Sequence, residues 1–216
     1  DDPAAIPGLI AALKDESSQV RREAADELGD FEDPQAVSAL IEALKDESSQ
    51  VRREAADALG QIGDAGAMNG LIEALKDESD NVRREAAESL GQIGDAGAVG
   101  GLLDAMDDGA SDVRRESAKS LGIIGETSDE VITALSDALE DQEGDVRGQG
   151  ALSLGWIGKP AETTAPKLME QLNDDDEDAT FNAAYALTMM DQAEPQRVIP
   201  ILVKALRVRD WNGESR

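Results

Sequence analysis

The string VRREAA occurs three times in this chain and VRRESA once, and their leading residues Val20, Val51, Val82 and Val113 lie 31 residues apart. A strict period of this length marks stacked supersecondary units, each unable to bury its apolar face alone. It constrains the fold more than length does, because 216 residues would otherwise allow one or two globular domains. The chain is expected to form a single solenoid. Its repeats should span about residues 1–31, 32–63, 64–94, 95–125, 126–158 and 159–190, with a partial seventh over 191–216.

One repeat shows the local logic. In residues 67–76, Leu71, Ile72 and Leu75 fall at helical spacing. In residues 81–93, Val82, Ala86, Ala87, Leu90 and Ile93 do the same, so both segments read as amphipathic helices. The intervening DESDN carries turn and capping residues, with Asp80 or Asn81 expected as the cap. Gly94 follows the second helix, where a left-handed residue ends it cheaply. The leucine eight residues after each Val position continues as Leu28, Leu59, Leu90, Leu121, Leu154 and Leu187. The last two repeats begin at Val146 and Ala179, with their extra residues in the turn before the first helix. Pro7, Pro166 and Pro200 share a column at the start of the first helix, a position that tolerates a missing N–H. A seventh first helix is expected over about residues 197–207.

These residues resemble the HEAT repeat family, in particular the short HEAT-like repeats also found in phycobilin lyase subunits. The resemblance rests on the Val51, Arg52, Ala55, Ala56, Leu59, Gly60 run, on Gln61–Asp64, and on Leu71–Asp77, and it covers nearly the whole chain. It implies an all-α, right-handed solenoid of helix–turn–helix repeats whose second helices line the concave face, and a scaffold that binds another protein or peptide. It also offers enzymatic precedents. A deoxyhypusine-hydroxylase-like di-iron site needs histidines, and the chain has none. A DNA-glycosylase-like function needs a cationic concave face, which a net charge of -27 opposes. A phycobilin-lyase-like or other cofactor-handling role is the remaining alternative, although no residue pattern marks a tetrapyrrole pocket.

Composition closes further options. With no Cys and no His, disulfides, thiolate or imidazole metal sites and Ser-His-Asp triads are excluded. The expectation is therefore no catalytic residue, no metal and no cofactor. The 47 acidic against 20 basic residues disfavour nucleic acid and anionic membrane, and no apolar run is long enough to span a bilayer. An acidic chain with 7 Lys against 13 Arg looks like the proteins of extreme halophiles, which suggests an archaeal source. The opening DDPAAIPGLI has no signal-peptide pattern, so a cytoplasmic location is expected. The irregular fifth and sixth repeats speak against an artificial consensus array, although the first two share LKDESSQVRREAAD.

Eight of the arginines form the pairs Arg21/Arg22, Arg52/Arg53, Arg83/Arg84 and Arg114/Arg115, each followed by Glu. They are expected to build ion-pair ladders between repeats, at ~0–1 kcal/mol per exposed pair. The acidic run Asp174–Asp178 lacks the spacing of an EF-hand loop and reads as a solvated hairpin with capping acids.

The sharpest functional signal lies two, six and ten residues after the Val position, a separate stripe of the second helix. It runs Arg22, Asp26, Asp30; Arg53, Asp57, Gln61; Arg84, Glu88, Gln92; and Arg115, Lys119, Ile123. It then becomes Gly148, Leu152, Trp156 and Phe181, Tyr185, Met189. A polar stripe thus turns apolar and aromatic. The candidate partner-binding residues are Leu152, Trp156, Phe181, Tyr185 and Met189, on the pattern of an interaction hot spot. The structural alternative is that the C-terminal tail, with Trp211, covers them, or that they cap the solenoid end.

Overall fold

A computed structural model describes residues 3–208, with side chains over residues 4–205. Among these residues every regular element is helical. Six helix pairs follow one another: α1 (Ile6–Ala12) with α2 (Ser18–Asp30), α3 (Val37–Ala43) with α4 (Ser49–Ile62), and α5 (Met68–Ala74) with α6 (Asp80–Ile93). Next come α7 (Val99–Ala105) with α8 (Ser111–Ile124), α9 (Asp129–Asp137) with α10 (Gly144–Ile157), and α11 (Ala165–Gln171) with α12 (Glu177–Met189). A single helix, α13 (Pro195–Val208), follows. The expected all-α helix-pair architecture is therefore present, and no described helix is long and apolar enough to cross a membrane. Packing divides the chain between Ile124 and Gly125 into two compact units, α1–α8 and α9–α13.

In the first unit the second helices pack successively, α2 on α4, α4 on α6 and α6 on α8. Leu28, Leu59, Leu90 and Leu121 are fully buried beneath them, together with the paired alanines. Close approach comes from a glycine nine residues after each Val. A methyl group on Gly91 would meet the Ser120 backbone at 3.0 Å, and the Ser120 hydroxyl donates to the Ala87 carbonyl at 2.7 Å. Ser89 makes the equivalent bond to Ala56 at 2.8 Å. Small residues at these places let neighbouring backbones meet, and the buried hydroxyls satisfy themselves on helix carbonyls.

The hairpins repeat a single device. Asp46 accepts the Ser48 N–H at 2.8 Å, and Asp77 accepts that of Ser79 at 2.8 Å, forming Asx turns. Arg21 then grips Asp46 through two nitrogens, at 2.6 and 2.8 Å, while donating to its own hairpin carbonyl at Asp15. Arg52 does the same to Asp77, and Arg83 to Asp108. The expected ladder exists, but its first arginines are not exposed: Arg21 and Arg52 are each 7% exposed. The second arginines, half-exposed themselves, form a separate network around buried glutamates, in which Arg22 and Arg53 share Glu54, and Arg53 and Arg84 share Glu85.

Several boundaries differ from expectation. The residue before α6 is Ser79 and the helix begins at Asp80, because the Asp77 turn already orients the chain there. Short 3-10 turns precede most first helices, so α5 starts at Met68 rather than Ala67. Gly94 is left-handed as expected, at φ 71°. Pro7 and Pro166 lie in the first turn of their helices, but Pro200 sits inside α13, which begins at Pro195.

Candidate partner-binding face

The candidate face lies wholly within the second unit, on α10 and α12. These two helices pack closely and run parallel. Gly148 faces Ala179 and Gly155 faces Ala186, a shift of seven residues on both helices. A methyl group on Gly155 would lie 2.9 Å from the Ala186 Cα, so α10 requires glycine there. Gly150 is equally tight against Ala138 on the α9 side. The Asn182 amide donates to the Gly148 carbonyl at 3.1 Å and ties the helices further. Gly148, the first apolar member of the decayed stripe, is thus buried packing rather than surface.

The remaining members of the stripe divide by exposure. Trp156 is 41% exposed, Tyr185 37% and Met189 49%, each large enough to contribute substantial apolar area to a contact. Leu152 and Phe181 are half-buried. One turn apart on α12, the Phe181 and Tyr185 rings stack with centroids 6.3 Å apart and planes 16° from parallel. Phe181 turns toward α13, where it lines a groove with Leu172 and Ile201. Trp211 lies outside the described residues.

The hairpin before α12 holds the face in place. Asp176 caps α12 by accepting the Ala179 N–H at 2.8 Å, and Asp174 accepts two nitrogens of Arg147 at 2.6 and 2.7 Å. The Arg147 hydrogen bond, against burial and with help from the Asp176 N–H, holds the Asp174 carboxyl below its ordinary range. Asp174 in return raises the Arg147 guanidinium. The acidic run therefore shapes the turn, as its capping residues suggested. Sequence inspection did not find Ile201 and Lys204, which α13 brings beside Phe181 and Glu177. Their signal was the repeat register itself, since α13 occupies the place of a seventh first helix.

A sequence-family model of HEAT repeats matches residues 6–77, 68–155 and 132–213. No curated protein matches the chain. Among solved structures, Escherichia coli YibA is similar at 27% identity and a TM-score of 0.69, over 93% of this chain and 75% of that one. The CpcE–CpcF complex of phycocyanin lyase from Nostoc sp. PCC7120 is similar at 25% identity and 0.66, over 97% and 90% of the respective chains. An engineered protein matches at 25% identity and 0.66, over 86% and 96%. With three overlapping matches running along almost its whole length, the chain belongs to the HEAT repeat family.

Proposed function

We propose that this protein is a non-enzymatic scaffold that binds another protein or peptide through the second-helix face of α10 and α12. Trp156, Tyr185 and Met189 form the centre of that face, and Leu152 and Phe181 form its half-buried edge. The observation that carries the proposal is the exposure of an indole, a phenol and a thioether on two helices locked together by glycine contacts. Large aromatic side chains on a rigid support lose little entropy on binding and bury much area. In the first unit the same stripe of the second helices carries ion-paired Arg53 and Arg84, in the column of Phe181, which are costly to desolvate. The similar CpcE chain is known in complex with a second protein, CpcF, which fits a scaffold role.

The test is the pair Trp156→Ser and Tyr185→Ser in the full chain. Partner capture is expected to fall about tenfold or more, while the helical circular dichroism and melting temperature stay within a few degrees of wild type. Unchanged capture accompanied by a loosened fold would show these residues to be structural.

A further inference from the structure

We infer that the occupant of this face is a basic peptide segment, and that the groove between α12 and α13 receives one of its Arg or Lys side chains. The inference rests on the proposed α10–α12 binding face and names the chemistry of what binds there. The groove encloses about 350 Å³. Its floor is apolar, formed by Leu172, Phe181, Ile201 and Ala205. Its rim carries four carboxylates, on Asp174, Asp175, Glu177 and Asp178, against the single ammonium of Lys204. Asp174 is committed to Arg147 at 2.6 Å, Glu177 is paired with Lys204 at 2.8 Å, and Asp178 is engaged as well, so the opening for a cation is at Asp175. Asp175 receives one Arg147 nitrogen at 2.8 Å, yet its side chain is 95% exposed and keeps open lone pairs.

An apolar floor beneath an anionic rim matches the two parts of a long basic side chain. The methylene stem lies along Ile201 and Leu172, and the cationic head reaches the carboxylates. The Phe181 ring adds a cation–π face to the same space. The positive end of the α12 dipole opposes a cation with only about half a charge, which the rim carboxylates outweigh. A neutral segment would desolvate those carboxylates without replacing their water, and an acidic one would add repulsion. A net charge of -27 further steers a basic partner toward the molecule. The stacked Phe181–Tyr185 pair makes the groove continuous with the aromatic face.

The experiment measures fluorescence anisotropy of three labelled peptides of about 12 residues on the full chain. They share their Leu and Ala positions and carry Arg, Gln or Glu at the others. About 0.5 M KCl shortens the Debye length to a few Å, so that bulk attraction is screened. The Arg peptide is expected to saturate and to bind about tenfold tighter than the Gln peptide. Asp175→Asn, and separately Phe181→Ala, should each weaken it about tenfold. Asp30→Asn makes the same charge change in the first unit and should leave binding within about twofold.

Equal losses in that control would overturn the inference, because charge alone would then account for binding. Failure of the Arg peptide to saturate would overturn it as well. If the Gln peptide binds as tightly and is lost with Trp156→Ser and Tyr185→Ser, the aromatic face stands and the basic occupant does not.

Discussion

The Arg52 side chain is 8% exposed and holds both oxygens of Asp77, whereas its neighbour Arg53 is 36% exposed and shares Glu54 and Glu85. The same charge one residue apart therefore has different energetic weight. Removing one partner of a buried, bidentate pair leaves a carboxylate without its donor, at about 3 kcal/mol or more. Glu54 and Glu85 are buried as well, but when Arg53 is removed each keeps a second arginine, Arg22 or Arg84, so the loss is smaller. Arg52→Gln is accordingly expected to lower unfolding free energy by about 3 kcal/mol and Arg53→Gln by less, about 1–2 kcal/mol, compared by urea titration of both variants. Equal losses would mean that the hairpin staple has no special standing. Sequence reading could place both arginines in a ladder. It could not tell which one is buried, because the deciding partner, Asp77, lies a repeat away in a turn whose geometry depends on its own Asx bond to Ser79.

At the scale of helix pairs, the hairpin staples and the second-helix acids Glu85 and Asp57 respond oppositely to acid. The Arg21 hydrogen bond lowers the Asp46 carboxyl below its ordinary 3.8. For Asp77 and Asp108, burial opposes that shift, but the arginine bonds, the hairpin N–H groups and the nearby charges together outweigh it. Carboxyls lowered by folding stabilise it above about pH 4, and that stability disappears as pH falls through the folded value. Burial instead raises Glu85 above its ordinary 4.5, against the pull of Arg84. Burial likewise raises Asp57, against the Gln61 bond and Arg53. Those two groups favour a proton in the folded state, so they cost stability as pH rises from their ordinary values through the folded ones. The melting temperature at low salt should therefore climb as pH drops from 7, peak between about pH 4 and 5, and fall below that. Glu85→Gln should flatten the climb, and a melting curve that declines steadily from pH 7 would contradict the account. The helices themselves were legible from the 31-residue period, the buried Leu column and glycines such as Gly94. The start of α6 and the interior place of Pro200 were not, since a turn bond and an early helix start set them. The groove beside Phe181 was also hidden, because it needs α13 to lie against α12.

Across the molecule, the regular repeats and the proposed binding face separate. Where VRREAA is intact, the second helices carry charges already matched by neighbours, Arg53 with Glu54 and Arg84 with Glu85. Where it decays, glycines bring α10 and α12 together and leave Trp156, Tyr185 and Met189 exposed. Membership of the HEAT repeat family accounts for the scaffold but not for this local change, since one repeat fold supports many functions. The decay was visible by comparing columns of one sequence. Its division into buried Gly148, half-buried Leu152 and Phe181 and exposed Trp156 was not, because helix spacing places a residue on a stripe without saying how closely the next helix approaches. The most direct test places a photo-crosslinking amino acid at Met189 in one protein and at Gln61, the same column of the second repeat, in another. Partner adducts are predicted from position 189 and not from position 61. Equal yields, or adducts from position 61 alone, would contradict the claim that binding resides where the repeat decays.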